Sequence, residues 1–339
     1  MGANITNFIG IDISKSQIDI ALIKNNDKTE IIPAVFENNA NGMKVLTKFL
    51  EETHKLDLTQ SIFCMEYTGI YNRCILEYLT EKQCLIWLEM PVQIIKSMGL
   101  QRGKSDSIDA KKIANYAYMH REDAKIWHPR RAVVNEIHEL LSLRERLITS
   151  RNMLQVPIDE MKSIGDKKTA ALLQSNCKLS LSAIAKNLEN INKKLNDIVN
   201  SDENIKKLYE LSTSVPGIGM ITALAAICYT NEHKSYNQGK QLACYVGVAP
   251  FEHSSGSSVK GRNRISHMAN KPLKKLLHLG AMAAIKSNGE LKAYYVRKVS
   301  EGKNKMSVLN AIRNKMILRL TAVIKRGTPY QQQYCGVNC

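Results

Sequence analysis

Four carboxylates are spaced along the chain so that a fold could gather them. Asp12 sits in FIGIDISKSQIDIALI, Glu66 in SIFCMEYTGIY, and Asp106 and Asp109 in GKSDSIDAKKIANYA. The first two follow apolar runs that read as strands. The last two are spaced i, i+3 at the start of an apparent helix and share one face. Carboxylates brought together repel one another unless cations hold them. Hard oxygen ligands on rigid elements suit Mg²⁺ or Mn²⁺, and paired metals suit phosphodiester chemistry. Each residue also has a plainer role open to it. Asp12 fits a turn, Asp106 a helix N-cap, and Asp109 a favourable first-turn charge. Asp19, in the alternating stretch after Asp12, is a possible decoy.

The elements that must position these residues follow from periodicity. Phe8 to Ile13 predicts a strand, and the stretches Ser16 to Lys24 and Glu30 to Phe36 alternate apolar and polar residues. Asn25, Asn26 and Asp27 supply a turn between the latter two, giving three hairpin-connected strands. Asn41 to Glu52 and Ile70 to Thr80 have helical spacing, with strands at Ser61 to Met65 and Cys84 to Met90. Three antiparallel strands followed by alternating helix and strand is the order of an RNase H-like α/β fold, although other α/β folds begin in the same way.

Residues 126–204 differ. Two runs, one through Leu140, Leu147 and Ile158 and one through Leu181, Leu188 and Leu195, predict long amphipathic, coiled-coil-like helices. Pro157 should kink the first. Such a pair could be a plain spacer, a dimerisation element or a nucleic-acid arm. Residues 205–327 read as an all-α C-terminal domain. In it Pro216-Gly217-Ile218-Gly219 forms a turn between helices, Ser254 to Asn263 is a loop, and Lys271 to Ile285 and Tyr294 to Lys325 are helices. The tail, 328–339, is polar and expected to fray. The expected division is thus 1–125, 126–204, 205–327 and 328–339.

The 339 residues carry 48 Lys+Arg against 31 Asp+Glu, a net charge of +17, which favours a polyanionic partner, nucleic acid above all. From Glu252 onward the only acidic residues are Glu252, Glu290 and Glu301. Lys260, Arg262, Arg264, Lys271, Lys274 and Lys275 crowd the loop and the helix after it, and all but Lys271 are taken as candidate nucleic-acid contacts, with solvated surface charge the plainer account. His253 and His267 flank the same region and could assist proton transfer, though a surface role suits both. Eight cysteines without a CxxC pair argue against a zinc site and for mostly buried thiols in a reducing compartment. There is no signal-peptide pattern, no apolar run long enough to span a membrane, and no P-loop. A cytoplasmic protein, nucleoid-associated when bound to DNA, is expected.

The motifs GIDISK, MEYTGIY and KSDSIDA resemble the DEDD tetrad of a group of bacterial insertion-sequence transposases. The later blocks VPGIGMITA, YVGVAP and HSSGSSVKGR with ISHMANKPLKKLLHLGA resemble the second signature domain of that group, which is shared by Piv-type DNA invertases. The resemblance covers nearly the whole chain apart from the coiled middle and the tail. It implies a RuvC-like N-terminal domain holding divalent metal on Asp12, Glu66, Asp106 and Asp109. It also implies a serine nucleophile in the SG loop: Ser255 by the motif, Ser254 as the near alternative, Ser257 and Ser258 less so. It further implies a structured noncoding guide RNA, the bridge RNA of RNA-guided recombinases, that pairs with donor and target DNA. Joining two DNAs leads us to expect a dimer that pairs into a tetramer. Three functions stay open at this point: RNA-guided transposase, Piv-like invertase, and a nonenzymatic nucleic-acid-binding protein.

Overall fold

Alternation of apolar residues builds the first sheet. In the computed structural model, which describes residues 5–97, 106–236, 238–255 and 259–331 (backbone only for 252–255 and 259–263), the chain separates into two compact units, Met1–Pro129 and Arg130–Cys339. The first unit runs β1 (Asn7–Ile13), β2 (Gln17–Lys24), β3 (Asp27–Glu37), α1 (Ala40–Lys48), β4 (Ser61–Glu66), α2 (Arg73–Glu81), β5 (Leu85–Glu89), α3 (Pro91–Ser97) and α4 (Asp106–Met119). The five strands form one mixed sheet in the order β3-β2-β1-β4-β5, with β1 antiparallel to β2 and parallel to β4. Asn25 and Asn26 both take positive φ, 53° and 59°, as the tight β2–β3 hairpin requires. This mixed α/β sheet domain, followed by a mainly helical region, agrees with the expected fold class.

Both faces of the sheet are covered. Ile9, Ile11, Phe63 and Met65 bury one face against Met43, Leu46, Ile75 and Leu79 of α1 and α2. Phe8, Ile62, Cys64 and Trp87 bury the other against Ala110, Ile113 and Ala114 of α4. Period-two residues of one strand therefore serve two cores. Gly10 lets α4 lie directly on β1: a Cβ there would stand 2.1 Å from the Ala114 amide nitrogen and 2.4 Å from the Ala110 carbonyl oxygen. Backbone cannot yield as a flexible side chain can. Gly10→Ala should therefore cost about 3 kcal/mol, roughly 10 °C in the melting of the first unit, by overpacking. Thermal denaturation followed by circular dichroism checks this; an unchanged melting temperature would mean that α4 stands off the sheet.

In the second unit, α5 (Ala132–Ser163) and α6 (Lys167–Ser201) are the two long amphipathic helices, and α5 continues unbroken through Pro157. They are followed by α7 (Glu203–Thr213), α8 (Met220–Tyr229), α9 (Gly239–Val246), β6 (Pro250–Ser255), β7 (Val259–Ile265), α10 (Lys271–Ala284), α11 (Glu290–Ser300) and α12 (Lys305–Arg326). The Gly217 turn between α7 and α8 takes φ of 91° and fits against Gly280 of α10, where a Cβ would lie 2.2 Å from the Gly217 carbonyl oxygen.

Four expectations are corrected here. The segment Ser254 to Asn263 is not a plain loop: the described residues on either side of 256–258 pair as an antiparallel hairpin, because backbone hydrogen bonding needs no apolar side chain. The helix expected over Tyr294 to Lys325 is two helices. Gly302 takes φ of 82°, and Asn304 caps α12 through its side chain, so polar punctuation overrode a continuous apolar period. The start of the tail is docked, since the Tyr330 amide donates to Ser214 Oγ at 2.8 Å and its hydroxyl to Glu290 at 3.0 Å. The described thiols are not mostly buried: Cys64 and Cys228 are buried, Cys74, Cys84 and Cys177 half-buried, and Cys244 exposed; Cys335 and Cys339 lie outside the described residues.

One polar knot anchors the second unit. Asn231, Glu232 and His233 all take positive φ, and the Glu232 side chain, only 1% exposed, receives Arg131 at 2.6 Å and Asn204 at 2.5 Å. Arg131 also pairs with Asp202 at 2.7 Å. Burial pushes the Glu232 carboxyl up, and the Arg131 and Lys234 contacts more than offset this. Arg131→Met would leave the buried Glu232 carboxylate with only Lys234 and Asn204, and should destabilise the second unit by about 3 kcal/mol. Urea unfolding reads this; a loss no larger than for an exposed arginine would refute it.

Candidate active site

The site is assembled by strand register. Asp12 lies opposite Asp19 across β1 and β2. Ile11 lies opposite Met65 across β1 and β4, so Asp12 and Glu66 come one step further along. Glu66 lies opposite Glu89 across β4 and β5. Asp19, Asp12, Glu66 and Glu89 thus form a row across four strands, on the face that α4 covers. Asp106 and Asp109 open α4 at the same end, where the helix N-terminus tolerates negative charge.

Charge coupling reports their proximity. The Asp12 carboxyl is raised above the ordinary aspartate range by burial first, then by Asp106 and Asp109, against a lowering hydrogen bond from the Ile13 amide. Glu66 is raised by burial, then by Asp12 and Asp109, with Lys112 opposing. Asp19 is raised by burial and by Asp106. Lys112 already neutralises part of this charge, its Nζ lying 2.6 Å from Asp109 Oδ1. The structure therefore brings Asp106, Asp109 and Glu66 each within electrostatic reach of Asp12, and Asp109 within reach of Glu66. Among the described residues, no three His, Cys, Asp or Glu side chains close on a point as a formed metal centre would. The donor chemistry nonetheless fits a hard divalent ion: oxygen ligands alone, on two strands and one helix, with Asp12, Glu66 and Asp109 half-buried and Asp106 exposed.

Sequence reasoning set Asp19 aside, and the register instead makes it the cross-strand neighbour of Asp12. Glu89 was missed altogether. Its signal was parity: it ends β5 as Glu66 ends β4. Glu89 is turned to other work, accepting from Trp87 Nε1 at 3.2 Å, the Tyr116 hydroxyl at 3.2 Å and the Met90 amide at 2.8 Å. These bonds hold the end of β5 to α4.

In the second unit, β6 and β7 pair Ser254 with Lys260, and Ser255 with Val259. Ser257 and Ser258 lie outside the described residues. Arg264 is exposed on β7, Lys274 is half-buried on α10, and Lys275 is taken up by Glu145 of α5 at 2.5 Å. His267 is exposed after β7.

Two transposase families match the chain. Residues 9–161 match a family described as "Transposase", of the DEDD IS110 type, and residues 209–296 match the "Transposase IS116/IS110/IS902 family". The chain thus carries IS110-type transposase domains at both ends. It is 26% identical over 336 residues to the pilin gene-inverting protein of Moraxella bovis, covering 96% of this chain and 98% of that protein. The Moraxella lacunata counterpart is also 26% identical over the same length. The transposase for insertion sequence element IS1111A of Coxiella burnetii is 24% identical, covering 73% of this chain and 74% of that one. No helix among the described residues is long and apolar enough to cross a membrane.

Proposed function

We propose that this protein cuts and rejoins DNA strands as the recombinase of a bacterial insertion sequence. The observation that carries this is the register-built set of Asp12, Glu66, Asp106 and Asp109, inside a segment that matches a DEDD transposase family. In this reading the first unit is RuvC-like, and Mg²⁺ or Mn²⁺ bound by the four carboxylates would neutralise the scissile phosphate and favour an ionised nucleophile. Ser255 attacks phosphorus. Its oxygen–phosphorus bond forms as a phosphorus–oxygen bond of the strand breaks, and the departing strand oxygen takes up a proton as the serine loses its own. The phosphoserine link keeps the energy of the broken bond, so the freed hydroxyl can reverse it without ATP. Site choice is delegated to a structured guide RNA pairing with donor and target DNA. Dimers pairing into tetramers hold the two DNAs together.

A second reading, site-specific inversion, is favoured by full-length similarity to the pilin gene-inverting protein. One experiment addresses both. The protein is incubated with Mn²⁺ or Mg²⁺, a plasmid carrying its gene with native flanking DNA, and transcripts of the flanking noncoding segments. Excised circles and new junctions elsewhere support the transposase, and inversion of a flanked segment supports the invertase. If no metal-dependent junction or covalent protein–DNA adduct forms, recombinase activity is refuted.

A further inference from the structure

Buried cations in folded proteins are paired, because a lone charge taken out of water is costly. Arg313 of α12 departs from this. It is 7% exposed, and its Nε is buried without a hydrogen-bond partner. Helices α10 and α12 pack together, and Lys274 of α10 is held below the ordinary lysine range by burial first and then by Arg313. Among the described side chains, the acidic residues of this region are already engaged, Glu290 by Arg319 and Glu301 by Lys298; the Glu252 side chain lies outside those described. A further polar atom on the same helix as Lys274 also lacks a partner: His278 Nδ1, one turn on. Among the described residues neither Arg313 nor Lys274 has a carboxylate partner, so the packed α10–α12 pair is prepared for an anion from outside.

Its location narrows what that anion is. Asn310, one turn before Arg313, donates to the Val248 carbonyl at 2.9 Å, which ties α12 to the base of the β6–β7 hairpin. Lys274 lies in the first turns of α10, whose N-terminus, capped by Asn270, adds partial positive charge. We propose that Arg313 and Lys274 form a phosphate site that grips one phosphodiester of a nucleic-acid strand beside this hairpin. The proposal rests on the reading that the protein acts on nucleic acid. It adds a residue, Arg313, that no charge-run argument selects, because it lies inside the apolar period of a core helix. Arg313 supplies planar donors suited to a phosphate, and Lys274 adds a point charge.

The test uses the full chain with two labelled probes of arbitrary sequence, a DNA duplex and a single-stranded RNA. Affinity is measured from about 50 to about 200 mM salt. Arg313→Met should weaken binding to at least one probe about tenfold, the effect of losing a charge-assisted hydrogen bond, and lower the log–log salt slope by about one. Arg313→Lys should restore part of the slope. The melting temperature of free Arg313→Met should equal or exceed that of the wild type, because an unpaired buried charge has been replaced by an apolar side chain. A structural arginine would behave in the opposite way. A slope lost on the duplex assigns the site to DNA, and one lost on the RNA assigns it to RNA; either supports the site. A lowered melting temperature with unchanged slopes on both probes would overturn it. Should Arg313→Met fail to fold, Lys274→Met, at a half-buried position, reads the same slope. If the wild type binds both probes and the variants match it, the phosphate site alone falls. If the wild type binds neither, the nucleic-acid reading falls with it.

Discussion

Asp12→Asn should abolish strand cleavage while making the metal-free protein more stable. Losing a shared metal ligand removes several kcal/mol of transition-state charge stabilisation, so cleavage should drop by roughly a thousandfold or more. The stability gain follows from the crowding. Asp12 is raised from the ordinary aspartate value of 3.8 by burial and by Asp106 and Asp109, so its charged form is disfavoured in the fold. The folded state then binds more protons than the unfolded state, and stability falls as pH rises through the raised range. Asparagine does not titrate, so the melting temperature of the variant should draw ahead of the wild type above about pH 4. Adding Mn²⁺ should raise the melting temperature of the wild type, and of Asp12→Asn far less. Retained cleavage, or a variant that melts lower at neutral pH without metal, would show that Asp12 is a structural residue.

Ser255→Ala should eliminate the covalent protein–DNA adduct, with a loss of roughly a thousandfold or more, as when a nucleophile is removed. Binding to DNA and RNA should stay within about twofold, since one hydroxyl contributes little to a salt-dependent interface. Ser254→Ala should be milder, although the ladder pairs Ser254, and not Ser255, with a lysine. Trapping the adduct and mapping the modified peptide is decisive. An active Ser255→Ala variant, or an adduct on another residue, would reject the assignment in favour of metal-activated water.

Local rules were enough to find much of this protein. Apolar runs located β1 and β4, alternation located β2 and β3, the Asn25-Asn26 pair announced a hairpin, and the i, i+3 aspartates opened α4, because strand, turn and helix signals are properties of a few adjacent residues. The four carboxylates were legible because each ends an apolar run or begins a helix.

What local rules could not supply is pairing between distant segments. The cross-strand register put Asp19 beside Asp12 and Glu89 beside Glu66, and nothing in either flanking sequence states which strand will be its neighbour. Gly10 looks like any strand glycine until α4 lies on it. Lys275 looks free until α5 brings Glu145 to it, and whether Arg313 is exposed or buried is open until α12 packs into the second unit. Residue type and spacing determine which elements form and which chemistry they can carry. Burial, counter-charge and contact are decided only when segments far apart in sequence pack, because desolvation and Coulomb energy depend on distance in space.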